Sequence, residues 1–455
     1  MLFKLKLIFQ KLKNPHIINL ISIGVMALLG FVQAAILTNY LSIKVMGVWY
    51  LYQGTIGLID VFRSGLLTTA LITSYTGTSK ERAAEVAGSG WYLAIVVTGL
   101  FAAINVIYLL FPFHIGDAGY LLFFKLFGLV FVITLPSFIA SCIAQAEQRF
   151  DRLFYIRALS TGLSIILVLL LIITGKLTLE TSIYAGIIAA AATSLLTLVL
   201  GWSRLGTLRY KSTQTVKALF AFGKFSVGTS LGSNLFRYSD TFIINILLGP
   251  SSLAIYNLGL RFMEFVEIPL RSFAGTVMPL LSGAHNQDNK SHVIYVLKKY
   301  SGLLTILLVP VVIGALLLSD VAIWIYDSKY LGTGAANVLR IFMTFALIYP
   351  VERFMALTLD SINQPKVNMI KLIFMLIANI VGDLLGVWLF GNVYGVALAT
   401  ILPILTGLVI SYTWLQKYFK FSFWDVYKIG WLECNWLIRD ALATIKKKKA
   451  DAPAQ

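Results

Sequence analysis

The sequence predicts an all-α, polytopic membrane protein, and three observations carry that prediction. The chain has 455 residues, 58% hydrophobic and 13% charged, with a mean hydropathy of +0.83. A soluble domain carries about 25% charged residues. Four long stretches, 14–43, 86–116, 300–319 and 384–416, contain no Asp, Glu, Lys or Arg, and about 20 apolar residues suffice to cross a bilayer. Basic residues also concentrate in alternate loops, as the positive-inside rule requires. A water-soluble enzyme or nucleic-acid binder is therefore excluded. Cys142 and Cys434 lie too far apart for a metal motif or a disulfide scaffold, and the four histidines form no zinc or haem set.

Twelve spans follow in order. Residues 17–40 carry no charge, and the basic segment MLFKLKLIFQKLKNPH before them has no small-residue cleavage site. Span 46–72 holds Asp60 and Arg63, 88–112 is uncharged, and 119–144 holds Lys125. Spans 154–175 and 179–201 have charges only at their edges. Span 218–246 carries Arg237 and Asp240, and span 252–283 carries Arg261, Glu264, Glu267 and Arg271. Span 295–318 is uncharged within, and 333–361 has Arg340, Glu352, Arg353 and Asp360. Span 367–390 holds Asp383, and 392–416 is uncharged.

Counting Lys and Arg in alternate loops puts 27 on one side and three, Lys44, Lys176 and Lys329, on the other. The rich side is expected in the cytoplasm with both termini. The basic pI of about 9.7 is then a topology signal plus attraction to anionic membrane lipid, and no nucleic-acid partner is needed. The tail, 417–455, mixes three tryptophans with Asp425, Lys428, Glu433, Arg439 and Asp440 and ends in Lys446 to Lys449. It reads as a cytoplasmic, interfacial amphipathic helix with a polybasic anchor.

An internal repeat organises the rest. YLSIKVMGVWYL (40–51) aligns with LLGPSSLAIYNL (247–258), which sets Asp60 opposite Glu267 and Arg63 within one residue of Arg271. A weaker match sets Pro136 and QAEQRF (145–150) against Pro350 and DSINQP (360–365). Two six-helix lobes are expected, 1–212 and 213–416, related by a pseudo-two-fold axis along the membrane normal. Such a duplication suits alternating access.

Fourteen charges lie inside the spans, seven of each sign. Each costs about 2.5–3.5 kcal/mol at mid-membrane, so each must face a wet cavity or a partner. At 100° per residue, the four charges of the eighth span fall on one face. Arg261 with Glu264 and Glu267 with Arg271 are also spaced for pairing along the helix. Asn234, Arg237 and Asp240 share one side of the seventh span. Lys125, Asp360, Lys371 and Asp383 are expected to snorkel towards the membrane edges.

With these features in place, the chain resembles the polysaccharide flippases, the O-antigen-type exporters of the multidrug, oligosaccharidyl-lipid and polysaccharide exporter superfamily. The resemblance runs over about residues 10–416. It is strongest in RYSDTFIINILLGPSSLAIYNLGLRFMEFVEIPLRSFAGTVMPLLSG (237–283), with Asp240, Gly249, Tyr256, and Pro279 before Ser282; Gly47 and Trp49 look similar in the first half. It implies a V-shaped, two-lobed transporter that moves an undecaprenyl-pyrophosphate-linked oligosaccharide across the bacterial inner membrane. The oligosaccharide would pass from the cytoplasmic to the outer leaflet, beside other polysaccharide assembly proteins. On that reading Arg63 and Arg271 are expected to hold the pyrophosphate, supported by Arg237, Arg261 and Arg353. Asp60, Asp240, Glu264 and Glu267 would balance charge or couple Na⁺ or H⁺, with no cofactor. Seven against seven departs from the strongly cationic cavity frequent in that family.

The alternatives are a cation-coupled multidrug exporter or a lipid II flippase of the same superfamily and, remotely, a membrane glycan polymerase or ligase. A lipid II flippase usually has two further helices. The longest outer loop, 320–333, is too short for a polymerase site, and no HxxEH, GxSxG or P-loop signature occurs. A non-enzyme is expected.

Overall fold

A computed structural model describes residues 15–450. Its elements are all helical. The first seven are α1 Pro15–Tyr40, α2 Ile43–Tyr75, α3 Lys80–Leu110, α4 Ala118–Ala146, α5 Phe150–Ile173, α6 Leu179–Val199 and α7 Thr213–Leu248. The remainder are α8 Pro250–Asn286, α9 Lys290–Tyr326, α10 Ala335–Ala346, α11 Tyr349–Ser361, α12 Pro365–Phe390, α13 Val393–Ala399, α14 Ile401–Tyr418 and α15 Asp425–Ala450. Short 3₁₀ turns occupy Leu205–Tyr210 and Ser328–Tyr330. The basic start, 1–14, lies outside the described residues, as do the side chains of Lys446 to Lys449.

Among the described residues, eight helices are long and apolar enough to cross a membrane, or nine if the bent pair α10 and α11 is one span. Neither α7 nor α8 is among them: these are two of the helices that place charges inside the expected spans.

The tenth expected span, 333–361, is broken into two helices meeting at 46°. Proline lacks the N–H for a helical bond and clashes with the carbonyl four residues earlier. Pro350 would clash at Ala346, the last residue of α10. The same arithmetic from Pro403 points to Ala399, where α13 ends inside the twelfth expected span.

The helix ends repeat a pattern. Gln148 after α4 and Asn363 after α11 both adopt positive φ, 56° and 61°. In both turns a backbone N–H reaches back five residues, Arg149 to Ala144 at 2.8 Å and Gln364 to Leu359 at 2.9 Å. This is the left-handed helix stop, and it falls at matching places in QAEQRF and DSINQP.

The chain divides into two compact units, 1–254 and 255–455. Within the first unit α7 packs along α2. Gly223 on α7 meets α2 so closely that a Cβ would overlap the Leu66 carbonyl. Small residues permit such approaches between helices in lipid. In the first unit α2 also packs on α3 and α4, α3 on α4, and α5 on α6 and α1. The core between α2, α3 and α4 is built on Leu67, Leu71, Val86, Trp91 and Ile139, and the Trp91 indole donates to the Ser203 carbonyl at 2.7 Å.

In the second unit α12 packs on α13 and α14, α9 on α10 and α11, and α11 on α14. Tyr256 of α8 meets Phe342 of α10 edge to face at 5.2 Å. The tail helix α15 lies against α9. Lys298 bonds Asp425 at 2.8 Å, Lys299 bonds Glu433 at 2.6 Å, and the Tyr295 hydroxyl donates to Glu433. At their crossing, Gly302 and Gly430 touch through backbone, and a Cβ on Gly302 would overlap the Val426 carbonyl. One face of α15 is thus held against α9. Trp424, Trp431 and Trp436 remain exposed while Val426 and Gly430 are buried, so that face is an integral part of the second unit.

Candidate functional site

The first unit brings Asp60 and Arg63 together on α2. Arg63 is 5% exposed. Its guanidinium binds Asp60 at 2.7 Å and donates to the Phe131 carbonyl and the Thr134 hydroxyl, both at 3.1 Å. It also stacks over the rings of Phe131 and Phe138 at 4.8 and 4.6 Å. These contacts to α2 and α4 engage four of the five guanidinium N–H groups and turn the fork into the interior of the unit. On α7, Arg237 is exposed over the Tyr238 ring at 5.7 Å. The Ser239 hydroxyl lies 3.4 Å from the Asp240 carboxylate.

The second unit holds the other charges on separate helices. On α8, Arg261 pairs with Glu264 at 3.4 Å and Arg271 with Glu267. The spacing along the helix thus produces both pairs. They differ in burial: the Arg271 and Glu267 side chains are 54% and 50% exposed, the Arg261 and Glu264 side chains only 25% and 34%. The Arg271–Glu267 pair is thus the one of the two that another anion can more readily reach. Arg353 on α11 is exposed, with no ion pair among the described residues.

Two residues expected to snorkel do not. Lys371 on α12 is 5% exposed and binds Glu352 of α11 at 2.6 Å. Asp383 is 1% exposed and accepts from Asn379 at 3.3 Å. Both face the unit's interior, because Lys371, Met375, Asn379 and Asp383 recur every four residues and so line one side of α12. That period was the available signal. Distance from the span end carried the other reading, and packing overrides it. Lys125 is exposed, and Asp360 is half-buried, accepting from Asn368 at 2.7 Å.

This array of apolar helices interleaved with helices that carry paired charges has counterparts among known folds. An inward-facing multidrug-resistance transporter of the MATE family, in the MOP superfamily, matches with TM-score 0.73 at 16% identity, over 86% of this chain and 94% of that one. The lipid II flippase MurJ in an inward closed conformation matches with TM-score 0.72 at 17% identity, over 96% of this chain and 94% of that one. The fold is thus that of the MOP-superfamily transporters.

Residues 36–334 match the family described as "Polysaccharide biosynthesis protein", and the chain belongs to that family. It is 25% identical over 270 residues to the "Probable low-salt glycan biosynthesis flippase Agl15" of Haloferax volcanii, which covers 59% of this chain. The matched segment spans 56% of that relative, so the chain spans about half the length of the curated protein it matches.

Proposed function

We propose that this protein flips a lipid-linked oligosaccharide, attached through undecaprenyl pyrophosphate, from the cytoplasmic to the outer leaflet of a bacterial inner membrane. It acts as a carrier for surface polysaccharide assembly and makes or breaks no covalent bond. Two six-helix halves, 1–212 and 213–416, alternate access. Na⁺ or H⁺ movement, or removal of the product outside, supplies direction. Family membership supports the glycan, and the name of the haloarchaeal relative supports flipping. The fold neighbours support a transporter frame and do not choose between glycan, lipid II and drug.

The observation that carries the reading is the Arg271–Glu267 pair: a half-exposed guanidinium on a helix of a chain otherwise rich in apolar spans, held by a carboxylate it can release. Arginine stays charged and offers phosphate oxygens a fork. Arg237, Arg261 and Arg353 add positive charge for the same anion. Arg63 has most of its fork engaged from within the first unit and serves that unit's stability first.

Arg271→Lys is expected to slow flipping about ten- to a hundredfold, the loss of one hydrogen bond to a charged group, about 1.5–3 kcal/mol. Arg271→Ala should abolish it while the protein stays folded. Flux of a fluorescent lipid-linked oligosaccharide in liposomes reads both. Recovery of flux in Glu267→Gln/Arg271→Gln would make the pair purely structural and overturn the assignment.

A further inference from the structure

A cavity of about 190 Å³ lies inside the first unit, lined from α1, α2, α4, α5 and α6. Its polar wall includes Gln33, Trp49, Tyr52, Gln53, Thr134 and Ser182. No Asp, Glu, Lys, Arg or His lines it. Trp49 is 7% and Tyr52 4% exposed. Neither the Trp49 indole N–H nor the Tyr52 hydroxyl has a hydrogen-bond partner among the described residues, and neither atom is sealed from solvent. Both residues line the cavity, so an occupant there can offer these donors acceptors in place of water. Gln33 spends one amide hydrogen on Ser164 at 2.9 Å, which leaves its carbonyl oxygen and second hydrogen for an occupant.

We propose that this cavity is a subsite for one neutral sugar residue, a reading that rests on the glycan-flippase function above. Three ligand classes can be separated by chemistry. A pyrophosphate would enter an uncharged wall with no counter-ion. A purely apolar molecule would leave the tryptophan and tyrosine donors unpaired. A pyranose fits both demands, because each hydroxyl accepts from an indole or phenol, donates to an amide oxygen, and leaves a C–H face for an aromatic ring. At roughly 30 Å³ per water the space holds about six waters, close to a single sugar ring and far short of an oligosaccharide.

The place in the chain adds meaning. Leu37 near the end of α1, Trp49 near the start of α2 and Ser182 in the first turn of α6 border the cavity. The loop charges assign those helix ends to the outer side. Thr134 and Ala190 carry the wall to mid-helix, so the subsite reaches from the outer side to the middle of the unit.

The test is a binding titration of the full chain in nanodiscs with free glucose, galactose, mannose, rhamnose and N-acetylglucosamine, read as the unfolding midpoint. Sucrose at equal molarity controls for general osmolyte stabilisation. At least one monosaccharide should raise the midpoint saturably beyond sucrose. Tyr52→Phe, which removes one hydroxyl, should weaken that response at least tenfold. Gly186→Leu should weaken it equally by filling the space: Gly186 lines the cavity, and a Cβ there meets only the Ser164 hydroxyl, at 4.0 Å. No saturable response from any sugar, or one unchanged in both variants, overturns the subsite. Because the readout is binding, it is independent of flux: sugar binding without flipping would defeat the flippase reading alone, and flipping without sugar binding would defeat the subsite alone.

Discussion

Replacing Arg63 with alanine is expected to unfold the first unit far more readily, before any effect on transport can be read. The substitution leaves the partly buried Asp60 carboxylate without its cation and removes the guanidinium that bonds the Phe131 carbonyl and stacks on Phe131 and Phe138. Breaking a buried pair by deleting one partner costs about 3–5 kcal/mol, whereas replacing both partners by apolar side chains of similar size is often close to neutral. Arg63→Ala should therefore lower yield and the melting temperature sharply. Asp60→Leu/Arg63→Met should recover most of the loss. Arg63→Lys should fall between, since an ammonium can keep Asp60 but cannot fork to Thr134 and Phe131 while lying flat on two rings. Thermal unfolding in detergent measures all three. An Arg63→Ala protein that melts like wild type but carries no substrate would return Arg63 to the binding role expected from the repeat.

The second large effect is expected at the crossing of α9 and α15. Any side chain at Gly302 must displace the Val426 carbonyl, so Gly302→Leu should lift α15 off the second unit. Spin labels at Tyr295→Cys and Glu433→Cys, whose native side chains touch, would report docking through their separation. The separation should stay short where Gly302 is kept and lengthen when Gly302→Leu is added. The ion pairs give this docking a pH signature. Lys298 holds the Asp425 carboxyl below the usual carboxylate range. Burial pushes Glu433 up, but its bonds from Lys299 and Tyr295 leave it below its ordinary value. Both folded-state values are depressed, so their contribution is fully present above the unfolded carboxylate range, about pH 4. It is lost only as pH falls through the folded values. Docking should hold steady across the neutral range and weaken below about pH 4. Undocking near neutral pH would contradict this account of the tail.

Much of this was legible in the sequence because lipid imposes a simple rule. Span length, charge-free stretches and loop bias are one-dimensional quantities, and the helices fall close to where those quantities place them. Partner choice along one helix was also legible: the three- and four-residue spacings in α8 give the pairs Arg261–Glu264 and Glu267–Arg271. Direction across helices was not. Arg63 looked equivalent to Arg271 by repeat position, yet one is buried among α4 residues and the other is half exposed, because Phe131, Thr134 and Phe138 stand opposite only the first. Lys371 and Asp383 looked peripheral by depth, whereas their common face on α12 turns inward. The polar face of α15 read as a face for water and lipid headgroups, although Asp425 and Glu433 are spaced to meet Lys298 and Lys299 of α9. The cavity at Trp49 and Tyr52 had no signal in the sequence, since it is made by what five helices leave unfilled.

The central claim is that the chain carries a lipid-linked oligosaccharide across a bilayer. The most direct measurement reconstitutes the purified protein in liposomes that hold a fluorescent undecaprenyl-pyrophosphate oligosaccharide in both leaflets, then adds a membrane-impermeant quencher of the glycan label. Without flipping only the outer half of the signal is lost; with active protein the inner half should follow, at a rate that scales with protein and is abolished by Arg271→Ala. A protected inner half that persists beside well-folded wild-type protein, under Na⁺ and proton gradients of either direction, would contradict the claim.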